Sequence, residues 1–438
     1  MKSIGIVICN YNKKDYVLAC IQAVLESSIK DYDIYVVDNA STDGSADAIH
    51  KQYGNTVTVI KNKMNLGGSG GFNTGIRIVV ELGYTYVCCL DNDAMIDEKA
   101  LESMKCFLNM NKDVGMVGAK IYFSKNTNII QQFGLRIDFK KFQAETLYNE
   151  VEDSEKVPEI VYCDTVAACV VMVPTSVIKI VGGMPDDNFI YWDDMEWGYC
   201  IKQAGYKVAA IGKAKAIHEM GAHIRKDNTF IQYYMWRNRF HFFMKHTKEK
   251  DLDKMSVKML QNLFESVFEA MYKGEYNVSQ TLLIAYKDAL DGIRGQAMEG
   301  RILKNDGNIK DFIQIFQKLT KIRVESDVSW LQAILKILSL PVTIAEGSDT
   351  SAVPVKICSS VLRIKEYQEG NVYIDYDLNV LNNKQDAELI KGFDMAQGLF
   401  LYMNQYLFLQ STKRIRSKYR KPIANNVLQG DELLCQDD

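Results

Sequence analysis

At 438 residues, with 47% hydrophobic and 24% charged side chains, the chain can bury a large core and is long enough for two or three domains. A net charge of −3 argues against a nucleic-acid partner, and the ten cysteines lack metal-type spacing, so they read as reduced structural thiols. No run of eighteen apolar residues occurs and Met1-Lys2-Ser3 opens no secretory leader, which sets the expectation of a cytoplasmic chain without a membrane span.

In chain order, Ile4-Gly5-Ile6-Val7-Ile8-Cys9 is a buried-strand run ending in Asn10-Tyr11-Asn12, and a helical pattern follows over 14–27. A second strand, Ile34-Tyr35-Val36-Val37, ends in Asp38-Asn39, and Ser41-Thr42-Asp43-Gly44-Ser45 supplies turn and cap residues for a helix to about 53. A third strand covers 57–60. Asn65-Leu66-Gly67-Gly68-Ser69-Gly70-Gly71 then opens a helix to about 82, and its glycines let backbone N–H groups face a phosphate. The fourth strand, Tyr86-Val87-Cys88-Cys89-Leu90, runs into Asp91-Asn92-Asp93. Alternation at this spacing predicts βαβ units and a mostly parallel sheet. Asn10, Asp38 and Asp91 then fall on one sheet edge, where open α/β sheets bind ligands. Two carboxylates one residue apart can share a hard divalent cation whose shell phosphate completes. Surface turns and helix caps use the same residues, so the pair alone is not diagnostic.

Residues 115–118 and 165–173 read as further strands, with a polar, irregular insertion over 126–158. Phe189-Ile190-Tyr191-Trp192-Asp193-Asp194-Met195-Glu196-Trp197-Gly198 crowds aromatics and carboxylates at the start of a helix to about 204. Helix starts favour acids. The flanking tryptophans also suggest a sugar-stacking platform, and a carboxylate beside an apolar wall can serve as a general base. Strands at 207–210 and 214–217 lead to His218, whose imidazole could join the two aspartates on a metal. Tyr233-Tyr234-Met235-Trp236-Arg237-Asn238-Arg239 offers two guanidiniums that a helix would not place on one face, so one of them is expected to reach a diphosphate or acceptor.

Taken in order, Val7 to Asn12, Val37 to Ser45, Asp91-Asn92-Asp93 and Asp193-Asp194 resemble the inverting family 2 glycosyltransferases of GT-A fold over residues 1–245. The glycine-rich turn, Trp192 to Gly198, and His218 followed by Arg237-Asn238-Arg239 are most similar to bacterial galactofuranosyltransferases, with rhamnosyltransferases next. The resemblance implies that Asp91, Asp93 and His218 hold Mn²⁺ or Mg²⁺. It implies that Asn10, Asp38, Asn39, Asn65, Gly67, Gly68 and Asn92 face a nucleotide-sugar donor. Asp194 would be the base that activates the acceptor hydroxyl, with Trp192, Asp193, Glu196 and Trp197 lining the acceptor subsite. One departure is Asn92, where the galactofuranosyltransferases carry an acid.

The fold class implied is α/β: a GT-A domain over 1–245, a helical domain over 246–345 and a small α+β region over 346–438. Within the later part, helices are expected over 257–298, 312–324, 329–340 and 386–415, a linker over 340–355 and a hairpin about 369–370. Six basic residues between Lys413 and Lys421 could meet anionic lipid at the inner face of the cell membrane, which suits a glycan or lipid-linked glycan acceptor. A solvated helix end explains them equally well. The sequence leaves homo-oligomer formation open. A nucleotidyltransferase is disfavoured, because Asn10-Tyr11-Asn12-Lys13-Lys14 stands where its glycine-rich loop would be. A non-catalytic glycan-binding protein is disfavoured by the joint presence of Asp91, Asp93, Asp194 and His218.

Overall fold

A computed structural model describes residues 2–219, 228–305, 310–345 and 349–419. β1 (Ile4–Asn10), α1 (Lys14–Leu25), β2 (Tyr32–Asp38), α2 (Ser45–Tyr53), β3 (Val57–Lys61), α3 (Gly67–Glu81) and β4 (Tyr86–Asp91) alternate as the apolar runs predict. The four strands pair in parallel in the order 3-2-1-4. Strand order therefore reverses between β1 and β4, which creates the crevice where such sheets take ligands. Asn10 is in register with Asp38, and Cys9 with Asp91, so the polar strand ends share that edge.

The chain continues through β5 (Ala94–Ile96), α4 (Ala100–Met110), β6 (Val114–Phe123), β7 (Asn126–Gln132), β8 (Leu135–Asp138), β9 (Gln143–Thr146), β10 (Val151–Glu152), β11 (Ile160–Cys163), β12 (Val170–Pro174), α5 (Thr175–Val181), α6 (Asp193–Gln203) and β13 (Lys207–His218). β12 lies antiparallel between β4 and β6, and β13 runs parallel to β6. The two strands expected at 207–210 and 214–217 are one strand with a register shift between Ile211 and Lys215. The stretch expected to be irregular over 126–158 is largely strand: β7 pairs with β6, and β8 with β9. Ile130, Phe133, Leu135, Ile137 and Phe142 within it are buried, so its polar composition hid their placement.

One face of the sheet packs α1 and α4 through Val17, Ile21, Leu101 and Met104. The other packs α3, α5 and α6 through Val79, Val177 and Trp197. On that face α3 lies close to β1, since a Cβ on Gly75 would stand 2.3 Å from Val7 Cγ1.

α7 (Thr229–His246), α8 (Leu252–Tyr272) and α9 (Tyr276–Asp291) form a third, aromatic core with Phe240, Phe242, Phe243, Leu263 and Leu282. α10 (Lys310–Phe316), β14 (Lys321–Val324), α11 (Val328–Ile337), β15 (Thr343–Ile344), β16 (Val353–Cys358), β17 (Val372–Asp375), β18 (Val380–Leu381), α12 (Lys384–Lys391) and α13 (Phe393–Tyr419) follow. A second sheet runs in the order 15-14-16-17-18, so a boundary at 345/346 cuts through it and 340–355 is not a linker. Residues 321–324, expected to be helical, are a strand, because Ile322 and Val324 point into this sheet's core. No hairpin forms about 369–370: β17 pairs in parallel with β16 and antiparallel with β18. The last helix is two, and the long α13 returns to the third core through Phe408, Ile415 and Tyr419. Among the described residues no helix is long and apolar enough to cross a membrane.

Candidate functional site

β4 ends at Asp91 and the turn into β5 carries Asp93, and β13, paired with β5 at His218–Ala94, delivers His218 beside them. His218 Nε2 lies 3.2 Å from Asp93 Oδ1 and 3.6 Å from Asp91 Oδ2. The three possible ligand atoms lie within 4.8 Å of one another, forming a candidate acidic metal site. The other ring nitrogen, Nδ1, meets Gln131 Oε1 at 2.9 Å, which turns Nε2 toward the carboxylates. Two carboxylates and one imidazole fit a hard divalent cation with positions left for phosphate oxygens. Lys13 Nζ contacts Asp93 Oδ2 at 2.5 Å.

Burial raises the pKa of Asp91. Burial acts on Asp93 in the same sense, but its contacts with His218 and Lys13 outweigh it and hold the carboxyl low. For His218, burial works to lower the pKa, while the bond to Asp93 and the two anions outweigh it and raise it.

Below this cluster a buried polar network spans the strand ends. Asn92 Nδ2 donates to Asn10 Oδ1 at 2.8 Å, and Asn10 Nδ2 reaches Ser41 Oγ at 3.3 Å and Asp38 Oδ1 at 3.4 Å. Asn39 Nδ2 donates to Asn65 Oδ1 at 2.9 Å and to the Gly67 carbonyl at 2.8 Å, while its Oδ1 accepts from the Leu66 amide. Asn10, Asp38 and Asn92 thus brace the crevice floor. Asn39 and Asn65 fix the turn that starts α3. Helix geometry begins at Gly67, earlier than the spacing suggests. Two of its glycines serve close packing: a Cβ on Gly71 would meet Cys9 Sγ at 2.3 Å, and one on Gly70 would meet Leu66 Cβ at 2.7 Å. Gly67 and Gly68 remain in the cavity wall.

α6 begins at the acid pair. Asp194 Oδ1 accepts from its neighbour Met195 N at 2.7 Å, Oδ2 accepts from Ala168 N at 3.4 Å, and its carbonyl accepts from Thr165 Oγ1 at 2.6 Å. A Cβ on Gly68 would lie 3.8 Å from Asp193 Oδ2, so Asp193 faces the start of α3. Burial, then the charge of Asp194, drives Asp193 up. Burial also raises Asp194, but the Met195 and Ala168 amides hold it below its neighbour. Asp91 adds to both shifts.

Four expected contacts fail. Trp197 is 1% exposed, lies in the sheet core and donates Nε1 to the Gly182 carbonyl at 3.1 Å. Trp192, 4% exposed, packs on Phe242 and Phe243 in the third core. Neither ring is a platform for a sugar; their apolar area is used in folding. Glu196 is buried against Lys245 and His246, each at 2.9 Å, and so is a structural ion-pair partner rather than an acceptor ligand. Burial alone would raise its pKa, yet the Lys245 ammonium and the hydrogen bond from His246 hold it well below the usual range. Arg237 and Arg239 both turn inward, to the Gly295 and Phe142 carbonyls, so neither guanidinium reaches the crevice.

Beside the carboxylates opens a cavity of about 560 Å³. Tyr11, Lys13, Asn39, Gly68 and Asp91 line one side, and Phe189, Phe230, Tyr234, Met298 and Ile302 the other. The wall from Gln296 to Ile302 follows α9 and carries no motif in the sequence. Lys13 and Gln131 were equally silent, since each gains meaning only from the strand that folds beside it.

Residues 5–163 match the model of glycosyl transferase family 2. That match and the parallel 3-2-1-4 order agree with the expected α/β GT-A class. An uncharacterized glycosyltransferase of Methanocaldococcus jannaschii is 26% identical over 135 residues, covering 30% of this chain and 46% of that protein. The UDP-Glc:alpha-D-GlcNAc-diphosphoundecaprenol beta-1,3-glucosyltransferase of Escherichia coli is 31% identical over 93 residues, 21% of this chain and 36% of that protein. The chain thus spans less than half the length of these two relatives. The solved structure of GalNAc-T7 with UDP, GalNAc and Mn²⁺ overlays 58% of this chain and 50% of that one, at 13% identity and a TM-score of 0.47.

Proposed function

We propose that this chain, whose residues 5–163 form a glycosyl transferase family 2 domain, is a metal-dependent inverting transferase. It moves a sugar from a nucleotide donor to a hydroxyl of a glycan or lipid-linked glycan in bacterial polysaccharide assembly. Galactofuranose from UDP-galactofuranose is the donor we put forward. Rhamnose from dTDP-rhamnose is the second reading; Asn92, bonded to Asn10, stands where galactofuranosyltransferases carry an acid and leaves the donor contacts there open.

The observation that carries the proposal is the meeting of Asp91, Asp93 and His218 at the strand-order reversal, beside the cavity. Mn²⁺ or Mg²⁺ held by these three side chains would neutralise the departing nucleotide diphosphate. Tyr11, Asp38, Asn39 and the Gly67–Gly68 backbone form the donor side. Asp194 takes the proton of the acceptor hydroxyl as that oxygen attacks the anomeric carbon opposite the diphosphate. One C–O bond forms, the bond to the diphosphate breaks, and the carbon inverts. Asp193, whose carboxyl burial and the Asp194 charge drive up in pKa, lines the acceptor side next to the base. Phe230, exposed in the cavity wall, supplies an apolar face on the acceptor side.

A lipid-linked acceptor fits the E. coli relative, named for glucosylating an alpha-D-GlcNAc-diphosphoundecaprenol. Peripheral contact with an anionic membrane belongs to this reading. α13 exposes Met395, Leu399, Tyr402, Met403 and Tyr406 on one face, leading to the exposed Lys413. The basic cluster is smaller than its sequence suggests, because Arg416 turns inward to the Thr247 carbonyl; Arg420 and Lys421 lie outside the described residues.

The test is release of UDP or dTDP from the two donors, with galactofuranosyl and rhamnosyl acceptors, with and without Mn²⁺. Turnover of one donor that stops on chelation supports the reading. Binding of glycan without turnover of either donor would replace it with that of a glycan-binding protein.

A further inference from the structure

The segment that presents the acid pair is strained. Phe189, Tyr191 and Trp192 have φ of 68°, 64° and 66°, three bulky residues in the left-handed region within four positions. For a bulky side chain each is costly and persists only where its surroundings impose it. A helix beginning at Asp193 inherits its direction from this segment, so whatever holds 188–192 also aims Asp193 and Asp194.

One side chain does most of that holding. Asn238, on the buried face of α7, points its amide nitrogen at three carbonyls of the segment: Asn188 at 3.0 Å, Ile190 at 2.9 Å and Tyr191 at 3.0 Å. Its own Oδ1 accepts from Arg237 Nε at 3.0 Å. Arg237 Nη2 adds a second donor to the Asn188 carbonyl at 3.0 Å, while Nη1 donates to the Gly295 carbonyl at 2.8 Å. Both side chains are fully buried. The guanidinium also lies on the Tyr233 and Tyr234 rings. Gly295 directly precedes the Gln296–Ile302 wall of the cavity, and the Ala297 amide donates to Tyr234 Oη at 2.8 Å. Arg294, one residue earlier, binds Asp187 at 2.6 Å. One buried pair thus grips the carbonyls behind the acids with one hand and the cavity wall with the other.

We propose that Asn238 and Arg237 are positioning residues for the transfer. Asn238 aims the Asp193–Asp194 pair by clamping the strained segment, and Arg237 ties that segment to the cavity wall at Gln296–Ile302. The inference rests on the proposed transferase reading. It assigns the Arg-Asn pair a task that neither a diphosphate contact nor core packing gives it. A carbonyl clamp needs an N–H₂ donor, which asparagine has and aspartate, leucine or alanine lack.

The experiment uses the full chain and two readouts. Asn238→Ala should fold, bind UDP with Mn²⁺ within about twofold of the parent, keep its donor KM and lose kcat on the order of 100-fold, the loss expected from misplacing a reacting group by about 1 Å. Amide hydrogen exchange should rise at 188–195 and stay unchanged in β1–β4. If Asn238→Ala does not fold, Arg237→Lys, which keeps the charge and loses the fork, is read in the same way. A kcat within threefold of the parent overturns the proposal. So does a loss shared equally by UDP binding and turnover, since that marks general disruption. The exchange readout needs no turnover: if no donor is transferred, the function reading fails, while unchanged exchange at 188–195 sinks the clamp by itself.

Discussion

The single residues that matter differ in how they come by their chemistry. In the proposed mechanism Asp194 serves as the base because burial lifts its pKa, and His218 serves as a ligand because Gln131 turns its ring. Asp194 must be ionised to accept a proton, so turnover should fall as pH drops through its raised pKa. The acid limb of the pH–rate profile should therefore lie above the ordinary carboxylate range; a limb at the value of a free aspartate would exclude Asp194. Gln131→Leu should weaken Mn²⁺ binding on the order of 10–100-fold, read by calorimetric titration, while leaving the fold intact. That Asp91, Asp93 and His218 meet in one place was legible in the sequence, because ordered motifs point to that edge. Trp192, Trp197 and Glu196 were misread for the reason that made them attractive: aromatics and acids beside a helix start suit a sugar site and a buried interface equally. Burial, which distinguishes the two, is a property of the neighbours.

At the scale of elements, β1 to β4 were legible almost to the residue, since uncharged β-branched runs have few alternatives. The stretch 126–158 was not, because its strands are short, polar and only partly buried: β7 folds back on the adjacent β6, and β8 pairs with β9. The second sheet hid for a related reason: β15 and β18 have two residues each, too short for a period to register. α6 is joined to α7 by Glu196, which pairs with Lys245 and His246 in a buried cluster. Glu196→Gln should cost about 3–5 kcal/mol, because it leaves Lys245 buried without its counter-charge. A denaturant midpoint reads this directly. The folded pKa of Glu196 is depressed, so its contribution is present above the unfolded value near 4.5 and is lost as pH falls through the folded value. The variant should therefore be less pH-sensitive in that acid window than the parent.

For the whole molecule, the aromatic core under α7 joins the sheet domain to the helices behind it, and α13 closes the joint through Phe408 and Tyr419. That architecture leaves the outward face of α13 apolar, with Tyr402 86% exposed. A helix apolar on both faces ordinarily has a partner on each, and the proposed second partner is an anionic bilayer. Tyr402→Glu with Met403→Glu should abolish flotation with anionic vesicles while leaving turnover of a water-soluble acceptor unchanged. Flotation equal to the parent would remove the membrane from the account.

The central claim is that Asp91, Asp93 and His218 hold a cation for a sugar transfer in which Asp194 is the base. It is tested most directly by nucleotide release from UDP-galactofuranose or dTDP-rhamnose, comparing parent and Asp194→Asn with Mn²⁺ before and after chelation. The account predicts metal-dependent turnover in the parent and loss of at least about 100-fold in Asp194→Asn, with Mn²⁺ and UDP still bound. Full activity in Asp194→Asn, or turnover indifferent to chelation, would contradict it.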